Sequence, residues 1–506
     1  MQGKIRRLYL IAAALILVCS NIHAQYYTTG NDPFGLRWRQ IRTPHVRLVF
    51  EKGMYEQAAR LAAFIDSVAP RVAWSLDHNP RRIDLLLHNQ TAIANGMVTW
   101  APKRSEFFTI PRQDLTSTEW LSQLAIHEYR HVVQIDKLYQ GFTRGLNYVF
   151  GQQATGAVIG LYLPMWLLEG DAVVAETALT ASGRGRSFAF TNEIKAQLLE
   201  RGMYSYDKAY LGSYRDYVPN HYNMGYLITA NARALYGADI WDKAFEYVGR
   251  NSWNPVAFNT TLRKSTGMSQ RQLYKKIFSE MREQWTEELT GQIESSRQPI
   301  NTPDDDYLLY SSPVAINDST LITELSGPSV RSAIVSIDIN TGKKKTLRYT
   351  GPRQSEPISA NSALVVWSEL KWHPRWEHKV WSVIRTHDLG SNRSRYITHS
   401  GYLSSPAVHP DRKLIAAVKS STINSYSIAF IDADNGKSIK EFPTPDNYYP
   451  IHPSWNSNGE NLVMVLLSAK GRALFTLQPE SGEWTQLSSW TYDEIKNPHQ
   501  QGNLIW

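Results

Sequence analysis

The second half of the chain carries a repeat of about 45 residues, and this repeat constrains the fold more than any other sequence feature. Prolines mark its units at positions 313, 357, 406, 453 and 498. Each of the first four prolines is followed by a short β-like run: Leu321–Ile322, Ala363–Trp367, Leu414–Val418 or Leu462–Leu467. A unit of this length with four short strands is typical of a β-propeller blade.

A second mark in each unit is a turn-forming segment between two β-like runs, which predicts a hairpin. These segments are Asp338–Gly342, Asp388–Asn392, Asp432–Gly436 and Gln478–Gly482. The units resemble the TolB-like or WD40-like β-propeller repeat, because His409–Lys413 stands where that repeat usually has S-P-D-G-K.

We assign residues 307–506 to an all-β, partial propeller with four blades and the beginning of a fifth. The fifth proline, Pro498, opens a segment that looks like a first strand and runs to Trp506. A propeller is stable when neighbouring blades cover each other around a closed ring. We therefore expect the chain to be a truncated form of a longer protein. The polar, Pro-containing residues 295–306 predict the linker that precedes the blades.

The first half is organised around a predicted helix, Leu121–Asp136, which contains the pattern H-E-x-x-H. His127 and His131 are one helical turn apart, so both imidazoles lie on one face of the helix. Such a pair can bind one Zn²⁺, with Glu128 beside it as the general base. A surface patch that binds no metal is the alternative for this pattern taken alone.

A catalytic zinc site usually has three protein ligands, and the next predicted helix offers candidates for the third. The segment Leu163–Ala178 has Pro164 in its first turn and continues with good helix formers. Glu169 and Glu176 are seven residues apart and share one face, so either carboxylate could reach the metal. Asp171 lies on another side of the same helix.

Together these segments resemble the gluzincin metallopeptidases, in particular the aminopeptidase N and leukotriene-hydrolase type and the broader peptidase MA-like group. The resemblance rests on His127-Glu128-x-x-His131 followed by Trp166–Ala172, which matches the family pattern W-L-x-E-G-x-A. It implies that Zn²⁺ is bound by the two histidines and by Glu169, the glutamate before the glycine of that pattern.

Two further residues take their expected roles from the same resemblance. The family has a tyrosine in a Y-x-x-G segment that donates a hydrogen bond to the oxyanion, and Tyr222–Gly225 fits this segment. The resemblance therefore implies a catalytic role for Tyr222; packing beside Tyr226 is the alternative. It also implies that Glu176 lies behind the metal ligands, although Glu176 as a ligand in place of Glu169 stays open.

Two departures from the family pattern bear on the activity. His131 and Glu169 are 38 residues apart, farther than in the aminopeptidase N type, and the intervening Leu146–Leu163 is Gly-rich and apolar. We expect this segment to pack inside the fold; contact with a membrane is the alternative. A G-A-M-E-N segment is missing, since Asn95–Met97 sits in roughly its place without the acid. An endopeptidase is therefore favoured over an aminopeptidase.

The order of the predicted elements suggests an α+β domain over residues 25–294, and the resemblance implies that this domain is a gluzincin-like metallopeptidase domain. Alternating runs at His45–Lys52 and Arg82–His88 predict strands, with a helix at Glu56–Val72 between them. Two further β-like runs lie within Met97–Ile110, shortly before the H-E-x-x-H helix. We expect a strand near this helix, against which an extended substrate could pair.

The N-terminus predicts export of a bacterial protein to the periplasm or the cell envelope. Residues 1–24 have a basic start, an apolar run at Leu8–Val18 that is too short to span a membrane, and Ala24 at a cleavage point. The only cysteine, Cys19, lies in this signal peptide, and the residue before it disfavours lipidation. The mature chain would therefore have no disulfides and would depend on its core for stability.

The charge distribution excludes a nucleic-acid partner. The net charge is +8, and the basic residues are scattered, with Lys343–Lys345 as a lone run. A nucleic-acid groove needs basic residues clustered in a stripe.

Two hypotheses for the function follow. In the first, the chain is an exported zinc metallopeptidase that acts on a peptide or protein, and the propeller guides or filters the substrate. In the second, it is a non-catalytic envelope scaffold whose propeller binds a protein partner and whose zinc site is structural. A structural zinc site usually has four protein ligands, and three are visible here, which favours catalysis. Membrane or envelope association is compatible with both.

Overall fold

The computed structural model describes residues 31–114, 116–290, 299–300, 305–411, 413–502 and 504–506. The predicted signal peptide with Cys19 lies outside these ranges, as does most of the predicted linker. The described residues form two parts, a predominantly helical N-terminal part that includes one sheet and a β-propeller of four blades.

A five-stranded mixed sheet opens the N-terminal part. Its strands are β1 (Trp38–Arg42), β2 (Val46–Glu51), β3 (Ile83–His88), β4 (Gly96–Trp100) and β5 (Lys103–Phe108). They lie in the order β1-β2-β3-β5-β4; β2, β3 and β5 are parallel, and the two edge strands are antiparallel to their neighbours. Buried and half-exposed residues alternate along β2, which confirms the strand predicted from its sequence.

Helices make up most of the remaining N-terminal part. In chain order they are α1 (Tyr55–Trp74), α2 (Trp120–Lys137), α3 (Gly141–Phe150), α4 (Gln153–Tyr162), α5 (Met165–Leu179), α6 (Phe188–Glu200), α7 (Tyr206–Leu211), α8 (His221–Tyr236), α9 (Ile240–Arg250), α10 (Ala257–Thr266) and α11 (Gln270–Leu289). Helix α2 contains the H-E-x-x-H pattern. From Gln123 to Lys137 every residue except His131 is buried, so its polar side chains need partners inside the protein.

The apolar segment between the two motif helices forms α3 and α4, which differ in their packing. Helix α4 lies so close to the sheet that a Cβ on Gly156 would stand 2.1 Å from Nε1 of Trp100. In α3, by contrast, Tyr148, Val149 and Phe150 are 66–74% exposed. The prediction that this segment packs inside the fold is therefore wrong for α3, because apolar composition does not supply a neighbour to cover it.

Among the described residues no single helix is long and apolar enough to cross a membrane; α4 and α5 pass that test only as a pair, bent by 97°.

Four antiparallel sheets of four consecutive strands form the propeller blades. The first two blades are β6 (Leu309–Asn317), β7 (Thr320–Gly327), β8 (Val330–Asp338) and β9 (Lys344–Tyr349), then β10 (Ser359–Ala360), β11 (Leu364–Trp372), β12 (Val380–Asp388) and β13 (Arg393–Tyr396). The other two are β14 (Leu403–Val408), β15 (Leu414–Ser420), β16 (Tyr426–Asp432) and β17 (Ser438–Pro443), then β18 (Tyr449–Trp455), β19 (Leu462–Ser468), β20 (Gly471–Gln478) and β21 (Glu483–Gln486). The predicted β-like runs are the second strands, and the predicted turns join the third and fourth strands.

The segment after Pro498 differs from its prediction. The sequence predicts the first strand of a fifth blade here, whereas the structure has a separate two-stranded hairpin, β22 (Gln500–Gln501) and β23 (Leu504–Ile505). Each strand of this hairpin has only two residues, because the chain turns back at Gly502, whose φ is 56°.

The repeated proline has a structural reason in three of the blades. In each of them the pairing of the first and second strands shifts register at the proline: Pro313, Pro406 and Pro453. The residue before each proline has a positive φ: Ser312 (51°), Ser405 (42°) and His452 (49°). Proline has no N–H to donate to a neighbouring strand, so a bulge accommodates it better than a regular ladder does. In these three blades, the proline that recurs in the sequence therefore marks a β-bulge that recurs in the first strand.

Hydrogen bonds join the propeller to the N-terminal part. The N–H of Ala92, just beyond β3, donates to the carbonyl of Val380 at 2.7 Å. The Gln113 side chain donates to the Pro450 carbonyl at 3.0 Å, and its oxygen accepts from the N–H of His452 at 2.9 Å. These contacts hold the second blade beside the end of β3 and the fourth blade beside the segment that leads into α2.

Candidate metal site

Helices α2 and α5 bring three of the predicted site residues together. The Nε2 atoms of His127 and His131 are 3.3 Å apart, and Oε2 of Glu169 lies 3.2 Å from the first and 3.3 Å from the second. Ligand atoms held about 2.0–2.1 Å from a tetrahedral zinc are separated by roughly 3.3 Å. The triangle therefore has the size and the donor set, two imidazoles and one carboxylate, of a zinc site with one position left free.

The second nitrogen of each imidazole faces a hydrogen-bond acceptor. Nδ1 of His127 lies 3.1 Å from Oε2 of Glu176, and Nδ1 of His131 lies 2.8 Å from Oε1 of Gln134. The Gln134 amide nitrogen donates to the carbonyl of Leu168 at 3.1 Å, which turns its oxygen towards the histidine. With hydrogen on both Nδ1 atoms, the Nε2 lone pairs face the triangle, and the outer acceptors fix the rings for metal binding. Glu176 thus stands behind His127, and the geometry favours Glu169 over Glu176 for the triangle.

Arg184 is part of this site, although no sequence pattern indicates it. Its guanidinium donates to Oε1 of Glu176 at 2.7 Å and to Oε2 at 2.9 Å, and Nη2 lies 2.8 Å from Nδ1 of His127. When His127 carries hydrogen on Nδ1, Glu176 alone accepts from Arg184. Burial works to raise the pKa of Glu176, but Arg184 and His127 outweigh it and lower that pKa to about 2. Glu176 is therefore a fixed negative charge behind the triangle.

Glu128 is buried between the site and strand β4. A Cβ on Gly96 would stand 3.0 Å from Oε1 of Glu128, so the strand passes directly over this carboxylate. Oε2 of Glu128 is buried and has no hydrogen-bond partner among the described residues. A buried, unpaired carboxylate oxygen costs stability, and such an atom in a native fold points to a ligand or water that it serves. Burial raises the pKa of Glu128.

Tyr222 reaches the site because α5 and α8 cross at two glycines. A Cβ on Gly225 would stand 2.1 Å from the carbonyl oxygen of Trp166, and one on Gly170 would stand 2.1 Å from the carbonyl carbon of Gly225. The glycines of the two motifs are thus required by the close approach of the helix backbones. The crossing places the ring of Tyr222, at the start of α8, 6.0 Å from the ring of His127. Burial raises the Tyr222 pKa to about 12, so the phenol keeps its proton and can donate it.

Asp171 lies away from the triangle, as predicted, and joins the three helices that carry the triangle and Tyr222. Its carboxylate accepts from Nε of Arg130 at 2.7 Å, from Nε2 of Gln134 at 2.9 Å and from Nη2 of Arg233 at 2.6 Å. Asp171 and Arg130 are fully buried, and buried charges of this kind persist only when they are paired. The network therefore holds α2, α5 and α8 in register around the site.

A cleft of 460 Å³ reaches the site at His127, Glu128 and Tyr222. Besides Glu128 and Tyr222, its walls include Asn95 and Gly96 at the start of β4 and, from the C-terminal end of the propeller part, Glu494 and Lys496. The prediction of a strand near the H-E-x-x-H helix is confirmed, because Gly96 of β4 lies against Glu128; β4 is also an edge strand of the sheet.

Comparisons with known proteins identify neighbours of low similarity. No protein-family model matches the chain, and no curated protein matches it. A TolB protein of Agrobacterium tumefaciens is 15% identical, with a TM-score of 0.28, over 33% of this chain and 60% of the other. The β-propeller domain of the Trilobed protease from Pyrococcus furiosus is 13% identical, with a TM-score of 0.27, over 37% of this chain and 58% of the other. The chain thus covers less than two thirds of either neighbour.

Proposed function

We propose that the chain is an exported, zinc-dependent metallopeptidase of the gluzincin type. The observation that supports this proposal is the triangle of His127, His131 and Glu169 beside the buried, unpartnered oxygen of Glu128. A purely structural zinc site would usually have a fourth protein ligand and would have no use for a base.

The residues of the site have separate tasks in this proposal. A zinc ion bound by the triangle would supply Lewis acidity, which polarises the scissile carbonyl and acidifies water. Glu128 accepts the proton of the attacking water and later delivers it to the leaving amine. Tyr222 donates a hydrogen bond to the oxygen that becomes negatively charged in the transition state. Glu176, Gln134 and Arg184 keep the histidine rings in place.

Internal peptide bonds are the favoured substrate within this proposal. Strand β4 is a sheet edge in the cleft, and an extended peptide can add to such an edge through backbone hydrogen bonds. Asn95 and Gly96 offer no carboxylate there to bind a free N-terminus. The cleft therefore suits an endopeptidase better than an aminopeptidase.

Removing the metal tests the function directly. We expect the purified protein to cleave a mixed peptide library at internal bonds, a chelator to stop cleavage, and added Zn²⁺ to restore it. Mass spectrometry of the products separates internal cleavage from loss of single N-terminal residues. A zinc-loaded protein that cleaves no member of the library, and no folded or unfolded protein substrate, would contradict the proposal and support the scaffold alternative.

Replacing Tyr222 with Phe tests the oxyanion donor. We expect kcat to fall about 100-fold, as for loss of one such hydrogen bond, while KM and zinc content change little. Tyr226→Phe is the matched control, since it removes a hydroxyl from the same helix one turn further on, and it should retain activity. Unchanged kcat in Tyr222→Phe would assign this tyrosine to packing.

A further inference from the structure

A second cluster of metal-binding side chains lies where the propeller meets the N-terminal sheet. It consists of Asp32, His88 at the end of β3, and His378 in the hairpin between β11 and β12 of the second blade. Oδ2 of Asp32 is 3.1 Å from Nδ1 of His88 and 3.3 Å from Nδ1 of His378. One ligand atom from each residue lies within 4.8 Å of the other two.

The surroundings of His88 fix it in the form that can bind a metal. Its other nitrogen, Nε2, is 3.0 Å from Oε2 of Glu106, and Arg104 holds that carboxylate from the other side. Hydrogen on Nε2 is donated to Glu106, which leaves the Nδ1 lone pair facing Asp32. A carboxylate behind a histidine in this way is the usual support of a metal ligand. The ring of Phe108 stacks on His88 with centroids 5.1 Å apart and screens it from water.

A protonated His88 between two carboxylates is the competing explanation. Burial opposes the charge, but Asp32 and Glu106 raise the His88 pKa to about 9. That explanation needs only His88 and its two carboxylates, whereas the fold also brings a second imidazole nitrogen, Nδ1 of His378, to the same oxygen of Asp32. The His378 N–H donates to the Asn31 carbonyl at 2.8 Å, which anchors its backbone there, and the buried side-chain oxygen of Asn31 has no partner among the described residues.

We propose that Asp32, His88 and His378 bind a divalent transition-metal ion, with Zn²⁺ as the best match to two imidazoles and one carboxylate. This site is distinct from the triangle in α2 and α5 and goes beyond the proposed peptidase function. Its ligands come from both parts of the chain, next to the hydrogen bonds between Gln90, Ala92 and Val380. The ion would therefore clamp the second blade to the end of β3.

Metal counting in a set of variants tests this inference. The full chain is loaded with Zn²⁺, dialysed, and analysed by mass spectrometry for zinc per chain. We expect two zinc ions per chain in the wild type, one in His378→Ala and one in the double variant His127→Ala/His131→Ala. The triple variant, which combines these three substitutions, should bind none. His399→Ala is the control, because it removes an exposed histidine from the loop that follows the same blade and should retain two zinc ions. His378→Cys supplies another zinc ligand and should restore the second ion.

The outcomes distinguish the two sites. Equal zinc content in the wild type and in His378→Ala would overturn this inference and leave the triangle unaffected. One zinc in the wild type that disappears in His378→Ala and persists in His127→Ala/His131→Ala would support this site and contradict the triangle. As a second readout, chelation should lower Tm in His127→Ala/His131→Ala and leave the Tm of the triple variant unchanged. If the chelator lowers Tm by the same amount in the double and the triple variant, the proposed metal clamp is contradicted.

Discussion

Glu128→Gln is expected to abolish peptide hydrolysis and leave zinc binding intact. Gln has the shape of Glu, so it fits under Gly96 in the same buried space, but it cannot accept a proton from water. Loss of the general base should lower kcat by about 10³-fold or more. Parallel measurements of turnover on the peptide library and of zinc per chain check this expectation.

The control for this substitution lies on the same helix. Glu119 is exposed at the start of α2, and Glu119→Gln makes the same chemical change away from the cleft. It should retain wild-type kcat. If Glu128→Gln keeps its turnover while zinc stays bound, proton transfer by Glu128 is refuted. If it loses the zinc as well, the Glu128 carboxylate supports the metal site itself.

Gly225→Ala is expected to lower both stability and activity. The new Cβ would stand 2.1 Å from the Trp166 carbonyl oxygen and 3.0 Å from the Cα of Gly170, and these are backbone atoms that move only if a helix moves. Overpacking of this kind costs about 1–3 kcal/mol and exceeds the gain of about 1 kcal/mol that Ala brings to a helix. Because α8 carries Tyr222, its displacement should also reduce kcat.

Gly160→Ala is the matched comparison, since Gly160 also lies in a helix and a Cβ there would meet nothing within 4 Å. It should raise the free energy of unfolding slightly or leave it unchanged. Thermal unfolding followed by circular dichroism gives Tm for both variants. A Gly225→Ala protein as stable as Gly160→Ala would show that α5 and α8 can separate without cost.

The parts of the fold that depend on local sequence could be predicted. The second strands and the hairpin turns of the blades follow from residue patterns within one unit, and the H-E-x-x-H helix follows from spacing along one face. Exposure could not be predicted in the same way. Tyr148 and Phe150 look like core residues, but burial depends on whether another element lies against them, and for α3 little does.

The same distinction applies to the candidate sites. His127, His131 and Glu169 belong to patterns that span a few residues each, so the sequence indicates them. Arg184 follows α5 in a short turn, and its place over Tyr222 depends on the crossing of α5 and α8. The junction cluster is the extreme case, because 346 residues separate Asp32 from His378 and only the assembled fold brings them together.

The cleft with walls from both parts of the chain has a consequence for engineering. Glu494 and Lys496 close one side of the space above Glu128, so the helical part and the propeller are not interchangeable modules. Grafting residues 31–290 onto another carrier would transfer every atom of the triangle and still leave the cleft open on one side. If the proposed peptidase function holds, exchanging the residues around 494–496 should alter substrate selectivity while α2 and α5 stay as they are.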